Sequence, residues 1–489
     1  MLSIDFDKII AQLQYQPDAP IIFSSGLFLY LFVPFMSIYA LVYKHQRARM
    51  LYLIAFSIFF YYKSSGFYFF LLIGLAIIDY TLARIMHATD NKHKRLWLLI
   101  TSLSVNLGML AYFKYTNFLF ASFYELLNKP FDPFHIFLPI GISFFTFQSL
   151  SYTMDVYRRQ IEPVKNFTEF AFFVTFFPQM VAGPIVRAAD FIPQIYKTPH
   201  VSKADFGKAI FLISSGLFKK AIISDYISLN FVDRIFDGPT LYTGFENLMG
   251  VYGYALQIYC DFSGYSDMAI GIALLMGYKL ALNFDSPYQS ASITEFWRRW
   301  HISLSTWLRD YLYISLGGNR KGKIRTYINL LITMLLGGLW HGAALRFIVW
   351  GALHGTMLAV EKFLHSKIKI TQTKFTKLIG IILTFHFVCF SWIFFRSADM
   401  NTAFEVLNQI IRNFHPEIIG EFVQGYPMAL SLIGIGYLLH FTTRKTEYIY
   451  QNMIIGLPFV LKIVYLSAII YFVIQIKSSE IQPFIYFQF

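Results

Sequence analysis

The chain has 489 residues, 56% of them hydrophobic and only 14% charged, with 54 Phe and 33 Tyr. A water-soluble protein carries about 25% charged residues, so a soluble globular class is excluded. The net charge of +13 comes from Lys and Arg gathered at the ends of apolar segments, the mark of cytoplasmic loops beside an anionic leaflet, and no free-standing basic helix offers a grip for nucleic acid.

Apolar stretches long enough to cross a bilayer recur from Ile21 to Ile476, and the short alternating segments of a β-barrel are missing, so the reading is an all-α polytopic membrane protein. Residues 1–20 form a polar N-terminal extension without a basic n-region. The run Ile21–Tyr43 is too long for a signal h-region and stays as an anchor. Lys44, Arg47 and Arg49 place the next loop inside and the N-terminus outside. Met50–Tyr62 and Phe67–Leu82 then make a pair of passes joined at Lys63-Ser64-Ser65-Gly66. Arg84 and the basic run Lys92–Arg95 mark the inner face, and Leu96–Tyr115 leaves it. Asn128–Pro133 has turn chemistry, and Ile136–Val156 returns to Arg158 and Arg159.

Phe170–Ile195 is aromatic but broken by Pro178, Gly183, Pro184 and Pro193, so it cannot be one straight helix. Broken backbone at membrane depth must be packed in protein or line a cavity, and this stretch is expected to build a pocket or funnel wall. Phe206–Phe231 crosses outward and Tyr252–Leu282 returns. Residues 296–311 alternate charged and apolar residues turn by turn, as partly embedded helices along the inner face do. After the basic run through Lys323, Tyr327–Leu339 rises and Ala344–Val360 descends. Leu378–Phe395 crosses, Ala403–Phe414 is amphipathic, and Pro427–Phe441 and Ile454–Ile476 complete the pattern. The expectation is about 11–13 spans in one membrane domain, residues 21–478, with an extracytoplasmic tail, residues 479–489. Both termini lie outside the cytoplasmic membrane in this reading.

His341 carries the most information. It sits inside the apolar run Ile328–Phe347, where an ionisable group is costly and by default marks a functional site. Gly337, Gly338 and Gly342 remove bulk around it, and Trp340 supplies a rigid wall. The alternative is a histidine that merely hydrogen-bonds a neighbouring helix. His301 lies forty residues earlier, nearer the inner face. A neutral imidazole can take a proton from a hydroxyl during acyl transfer. No nucleophile elbow accompanies it, so direct transfer to a bound hydroxyl is simpler. His354 reads as structural. His, Asp and Glu do not recur at metal-ligand spacing, so no metal is expected. Asp261 and Asp267 have no partner legible in the sequence, and Arg309–Asp310 reads as a buried ion pair that fixes geometry. Cys260 and Cys389 read as packing thiols.

Trp300–Tyr313, Leu316–Arg320 and Leu336–Ala343 resemble the signatures of membrane-bound O-acyltransferases (MBOAT). Phe177–Ile185, Asp261–Ala269 and Ser391–Ser397 narrow the resemblance to the bacterial branch containing alginate O-acetylase and the teichoic-acid D-alanyl transferase. The resemblance implies an MBOAT-like bundle with re-entrant or interfacial helices and a central channel, and it implies that His341 and His301 are the catalytic pair. It also implies acetyl-CoA as the acyl donor inside, with no bound cofactor. Outside, it implies a hydrolase-like acyltransferase or esterase partner and a polysaccharide acceptor. Trp340, Trp300, Arg298, Arg299, Arg309, Asp310 and Asn319 are the channel or donor-binding candidates, although positive-inside bias alone would produce the same basic cluster. The alternatives are a D-alanyl transferase of the same family and a transporter or flippase without covalent chemistry. A transporter would show paired half-helices and internal repeats, which are not found.

The C-terminal sequence Phe484-Ile-Tyr-Phe-Gln-Phe489 can be an interfacial aromatic anchor. Its Phe-x-Tyr-x-x-Phe spacing also resembles the tail of the small partner protein in teichoic-acid D-alanylation. That resemblance implies that Tyr486 relays the acyl group.

Overall fold

The computed structural model describes residues 6–17, 20–368, 371, 373–476 and 484–485, and among these there is no β-strand. The chain divides into two compact units, residues 1–209 with 269–281, and residues 210–268 with 282–487.

In the first unit α1 (Phe6–Leu13) is followed by α2 (Gly26–Val42), α3 (Gln46–Ser65), α4 (Phe69–His87) and α5 (Lys92–Leu110). A π-helical turn carries α5 into α6 (Thr116–Leu126) without a break in the run, so this helix continues past the expected end at Tyr115. Then come α7 (Ile142–Tyr157), α8 (Phe167–Thr175), α9 (Phe177–Met180) and α10 (Ala188–Ile195). Polar residues start two of these helices. The Ser25 hydroxyl accepts the Phe28 N–H at 3.2 Å, and Asn91 accepts the Lys94 N–H at 3.1 Å, each satisfying a donor that a helix start leaves open. Gly66 ends α3 at φ +59°, a conformation suited to glycine. A methyl there would lie 3.1 Å from the Tyr15 ring, so the N-terminal extension seats on the same turn.

The proline-broken stretch forms α8, α9 and α10, and it is packed in protein. Phe177 is fully buried among Phe23, Phe28, Phe35, Phe56 and Phe60. Side chains replace the ladder bonds that the breaks remove. Gln148 and Gln179 both donate to the Phe173 carbonyl, at 2.6 and 2.7 Å, and Ser57 accepts the Phe177 N–H at 3.1 Å. Between α4, α5 and α7 the buried carboxylate of Asp79 accepts bonds from Ser102, Asn106 and Ser149. Sequence patterning gave no sign of that hub.

Helix α11 (Lys203–Leu217) leads into the second unit. Two π-helical turns flank the short α12 (Asp225–Ile227), and α13 (Asp233–Asp237) and the long α14 (Gly244–Leu275) follow. The expected inner-face segment is two short helices, α15 (Ile293–Arg299) and α16 (Ile302–Trp307). Next are α17 (Lys323–His341), α18 (Leu345–Lys367), α19 (Lys374–Arg396), the amphipathic α20 (Met400–Arg412), α21 (Ile419–Gly425), α22 (Pro427–His440), α23 (Arg444–Gly456) and α24 (Phe459–Ile476).

Among the described residues four helical runs are long and apolar enough to cross a membrane: Gln46–His87, Lys92–Leu126, Leu345–Lys367 and Lys374–Arg396. Counting the bent pairs α21–α22 (100°) and α23–α24 (119°) as one span each gives six. The larger number expected from hydropathy counts α3 and α4 separately. It also includes helices that are short, such as α7 with 16 residues, or interrupted by π turns, such as α11.

Helices α17 and α18 pack backbone to backbone. A methyl at Gly338 would lie 2.2 Å from the Phe347 carbonyl oxygen, and one at Gly351 would lie 2.4 Å from that of Met334. Gly351→Val therefore overpacks the crossing and is expected to cost about 1–3 kcal/mol. Gly434→Ala, in α22 with open space around it, is expected to be neutral or stabilising by about 0.4–1 kcal/mol. Thermal unfolding of the purified protein in detergent measures both, and equal midpoints for the two variants would remove this account of the crossing.

Candidate functional site

Helix α17 ends on His341, and the chain turns through extended Gly342 into α18. The turn leaves no room for a larger residue, because a methyl at Gly342 would fall 1.9 Å from the Phe347 ring. His341 is only 3% exposed. Its imidazole stands edge-on to three rings, Trp340 at 5.0 Å, Trp350 at 5.1 Å and Phe395 at 5.2 Å. The three glycines named beside it serve packing. Gly338 admits α18, Gly342 admits Phe347, and Gly337 faces the Leu308 side chain.

His301 occupies the break between α15 and α16. It has left-handed backbone angles (φ 42°, ψ 55°), which cost a non-glycine residue about 1–3 kcal/mol unless the surroundings hold it. Asn283 does the holding. Its amide nitrogen donates to Ser266 at 3.1 Å, so its carbonyl oxygen faces the opposite way. That oxygen accepts from the Ser303 hydroxyl at 2.9 Å, from the Ser303 N–H at 3.3 Å and from His301 Nδ1 at 3.1 Å. Its backbone carbonyl takes the Ile302 N–H at 2.9 Å. Nδ1 therefore carries the proton and Nε2 is the basic nitrogen of the His301 ring. Phe262 packs edge-on against this ring at 4.5 Å. Asn283, Ser266 and Ser303 were not singled out in the sequence. Ser266 and Ser303 fall within the signature stretches Asp261–Ala269 and Trp300–Tyr313, while Asn283 lies in a short polar segment after the long helix α14.

The two histidines meet through Trp340, whose ring lies 6.1 Å from His301 and 5.0 Å from His341. Residues forty apart in sequence thus share one aromatic wall. Trp300 is fully buried, packed on Phe284, Phe296 and Trp392. Arg299 pairs with Glu295 at 2.7 Å and reaches the Asp285 carbonyl at 3.2 Å. Arg309 and Asp310 do pair, at 2.6 Å, but the Arg309 side chain is 59% exposed. The pair is not buried because Arg309 sits on the outer side of a π-helical turn, and an exposed pair adds little stability. Arg298, Asn319, Arg320, Lys321 and Lys323 are all exposed. Tyr486 lies outside the described residues.

His354 is bonded through both ring nitrogens. Trp297 Nε1 donates to its Nδ1 at 3.3 Å, its Nε2 donates to Ser391 at 3.0 Å, and Ser391 donates to the Val388 carbonyl at 2.8 Å. Asp261 and Asp267 are engaged by lysines rather than histidines. Lys219 binds Asp267 at 2.7 Å, while Lys220 binds Asp261 at 2.5 Å and Asp225 at 2.8 Å. Among the described residues, no group of three or more His, Cys, Asp or Glu gathers as a metal site would require.

A model of the membrane-bound O-acyltransferase family, MBOAT, matches residues 92–401. The chain is 44% identical over 390 residues to a probable alginate O-acetylase of Pseudomonas syringae pv. tomato, covering 78% of this chain and 73% of that protein. It is 37% identical over 423 residues to a peptidoglycan O-acetyltransferase of Helicobacter pylori, covering 80% of each. To a teichoic acid D-alanyltransferase of Bacillus subtilis it is 30% identical over 271 residues, covering 52% of this chain and 68% of that one.

The His354 relay sets a stability test. Ser391→Ala leaves the buried Nε2–H without its acceptor and is expected to destabilise by about 1–3 kcal/mol. Adding His354→Phe removes the stranded donor and should recover part of that loss. Thermal unfolding of the single and double variants decides it, and a double variant worse than the sum of the singles would contradict the relay.

Proposed function

The chain belongs to the membrane-bound O-acyltransferase family, and from that premise we propose that it O-acetylates a cell-envelope or exported polysaccharide, with His341 and His301 as the catalytic pair. The observation that carries this is the pair of buried histidines sharing Trp340 as a wall. The acetylases among its relatives support acetyl as the group carried, since each spans most of the chain, whereas the D-alanyltransferase match spans 52% of it.

In this reading acetyl-CoA is the donor on the cytoplasmic side of the inner membrane. Exposed Arg298, Arg320, Lys321 and Lys323 suit its phosphates. Both termini face outside, where an esterase-like partner completes transfer. Tyr486 is the relay. His341 takes the phenol proton as the phenolate oxygen attacks the thioester carbonyl. The C–S bond breaks, an aryl ester forms, and the thiolate leaves with that proton. A phenol of pKa about 10 makes an ester more reactive than a sugar ester. A glycan hydroxyl can then take the acetyl group through the partner, which returns Tyr486 to its phenol.

His341→Ala is expected to lower alkali-releasable acetyl on the glycan at least about 100-fold at unchanged protein abundance, as loss of a general base typically costs 10²–10⁴. Normal acetylation in that variant would remove the catalytic assignment and favour a transport role. Asn283→Ala frees the His301 ring and should lower kcat about tenfold, the worth of one hydrogen bond near 1.4 kcal/mol, with KM for the donor unchanged. A change confined to KM would contradict that role. The double variant Arg298→Glu, Arg320→Glu should raise KM for acetyl-CoA about tenfold while kcat holds. An unchanged KM would point instead to a carrier-protein thioester.

A further inference from the structure

Helix α14 and the π-helical turn after α11 enclose a charge cluster with one cation and two anions. Lys220 lies between Asp225 at 2.8 Å and Asp261 at 2.5 Å, with Lys220 and Asp261 side chains each 3% exposed. Buried carboxylates that share one ammonium are held by hydrogen-bond donors as well. One donor comes from the far end of the chain, where the Ile485 backbone N–H points at Asp261 Oδ2 at 2.8 Å. Beside it Phe484 is fully buried, its ring 5.3 Å from Phe262 and 5.0 Å from Tyr265. Phe262 is the same ring that packs on His301 at 4.5 Å.

We propose that Asp261, oriented by Lys220, is a positioning residue that clamps the C-terminal tail beside His301, with Phe262 and Tyr265 as the seat for Phe484. The clamp deepens the acyl-relay reading and rests on it for its purpose, because holding residues 484 and 485 sets where residue 486 begins. The carboxylate is well chosen for the task. It binds a backbone amide through a charge-assisted bond that any residue at 485 can make except proline. The aromatic seat supplies the selection for Phe484.

The test uses the full chain in detergent, with hydrogen–deuterium exchange of the C-terminal peptide and mass spectrometry for acyl on Tyr486. In Asp261→Leu the peptide is expected to exchange about tenfold faster, and acyl-Tyr486 to fall about tenfold, the equivalent of one strong hydrogen bond. Asp261→Asn keeps an acceptor and should fall between. Ile485→Pro deletes the donor without touching the helices, so it stays informative if Asp261→Leu fails to fold, and it should reproduce the loss. Ile485→Ala retains the N–H and should keep the tail protected. Wild-type exchange and acylation in Ile485→Pro would overturn the clamp. A wild-type protein whose tail exchange depends on Asp261 but whose Tyr486 never carries acyl would overturn the relay and leave the clamp standing.

Discussion

Without side chains at Gly338 and Gly351, helices α17 and α18 approach until backbone meets backbone, within 2.2–2.4 Å of where a methyl would stand. In a bilayer the lipid is as apolar as the helix surface, so such contacts must come from close packing rather than from the hydrophobic effect. The crossing leaves little freedom at the end of α17. His341 is its last residue, Gly342 turns under the Phe347 ring, and α18 starts at Leu345. Trp350, one residue before Gly351, then meets the imidazole at 5.1 Å, and Phe395 from α19 closes another side at 5.2 Å. The position of the His341 imidazole follows from helix packing several residues away.

Burial does not by itself distinguish a working histidine, because four of them are buried in this unit. His354 is bonded through both nitrogens to Trp297 and Ser391. His440 accepts the Tyr288 N–H at 3.0 Å and packs against the Tyr259 ring at 4.5 Å. Both act as polar pins between elements. His301 is held differently. Its Nδ1 is tied to an asparagine that four other polar groups also orient or use, and the backbone adopts left-handed angles to place the ring. Strain that the surroundings fully determine is common at reactive positions. His341 shares the Trp340 ring with His301 and the Trp350 ring with His354.

The all-helical membrane class and the break in the proline-rich stretch were legible because each depends on local sequence, and His341 and His301 stood out as candidates for the same reason. An apolar run, a Pro spacing or an ionisable residue at depth can be seen without knowing its neighbours in space. The elements that escaped depend on tertiary pairing. Asn283 lies in a short aperiodic segment, and its role appears only when Ser266 and Ser303 close around it. Lys219 and Lys220 were absorbed into an outward span, and Asp261 and Asp267 were left without partners, although Lys219 pairs with Asp267 and Lys220 with Asp261 across two helices. Helix ends moved for a similar reason. A π turn lets α5 continue into α6, and α23 forms as a separate helix where Arg444 and Lys445 had marked only the end of a span.

The lysine–aspartate network explains why charged residues can sit inside an apolar helix pair. A buried ion pair gains little over a packed apolar one, but removing one partner is costly, so such networks persist where their geometry does a job. Here the geometry directs the second oxygen of Asp261 at a main-chain amide, a contact blind to the side chain it holds. Phe484 packs its ring against Phe262 and Tyr265 while Asp261 accepts the N–H of the next residue. Phe262 also packs on His301, so Phe484 and the His301 ring are both neighbours of one side chain.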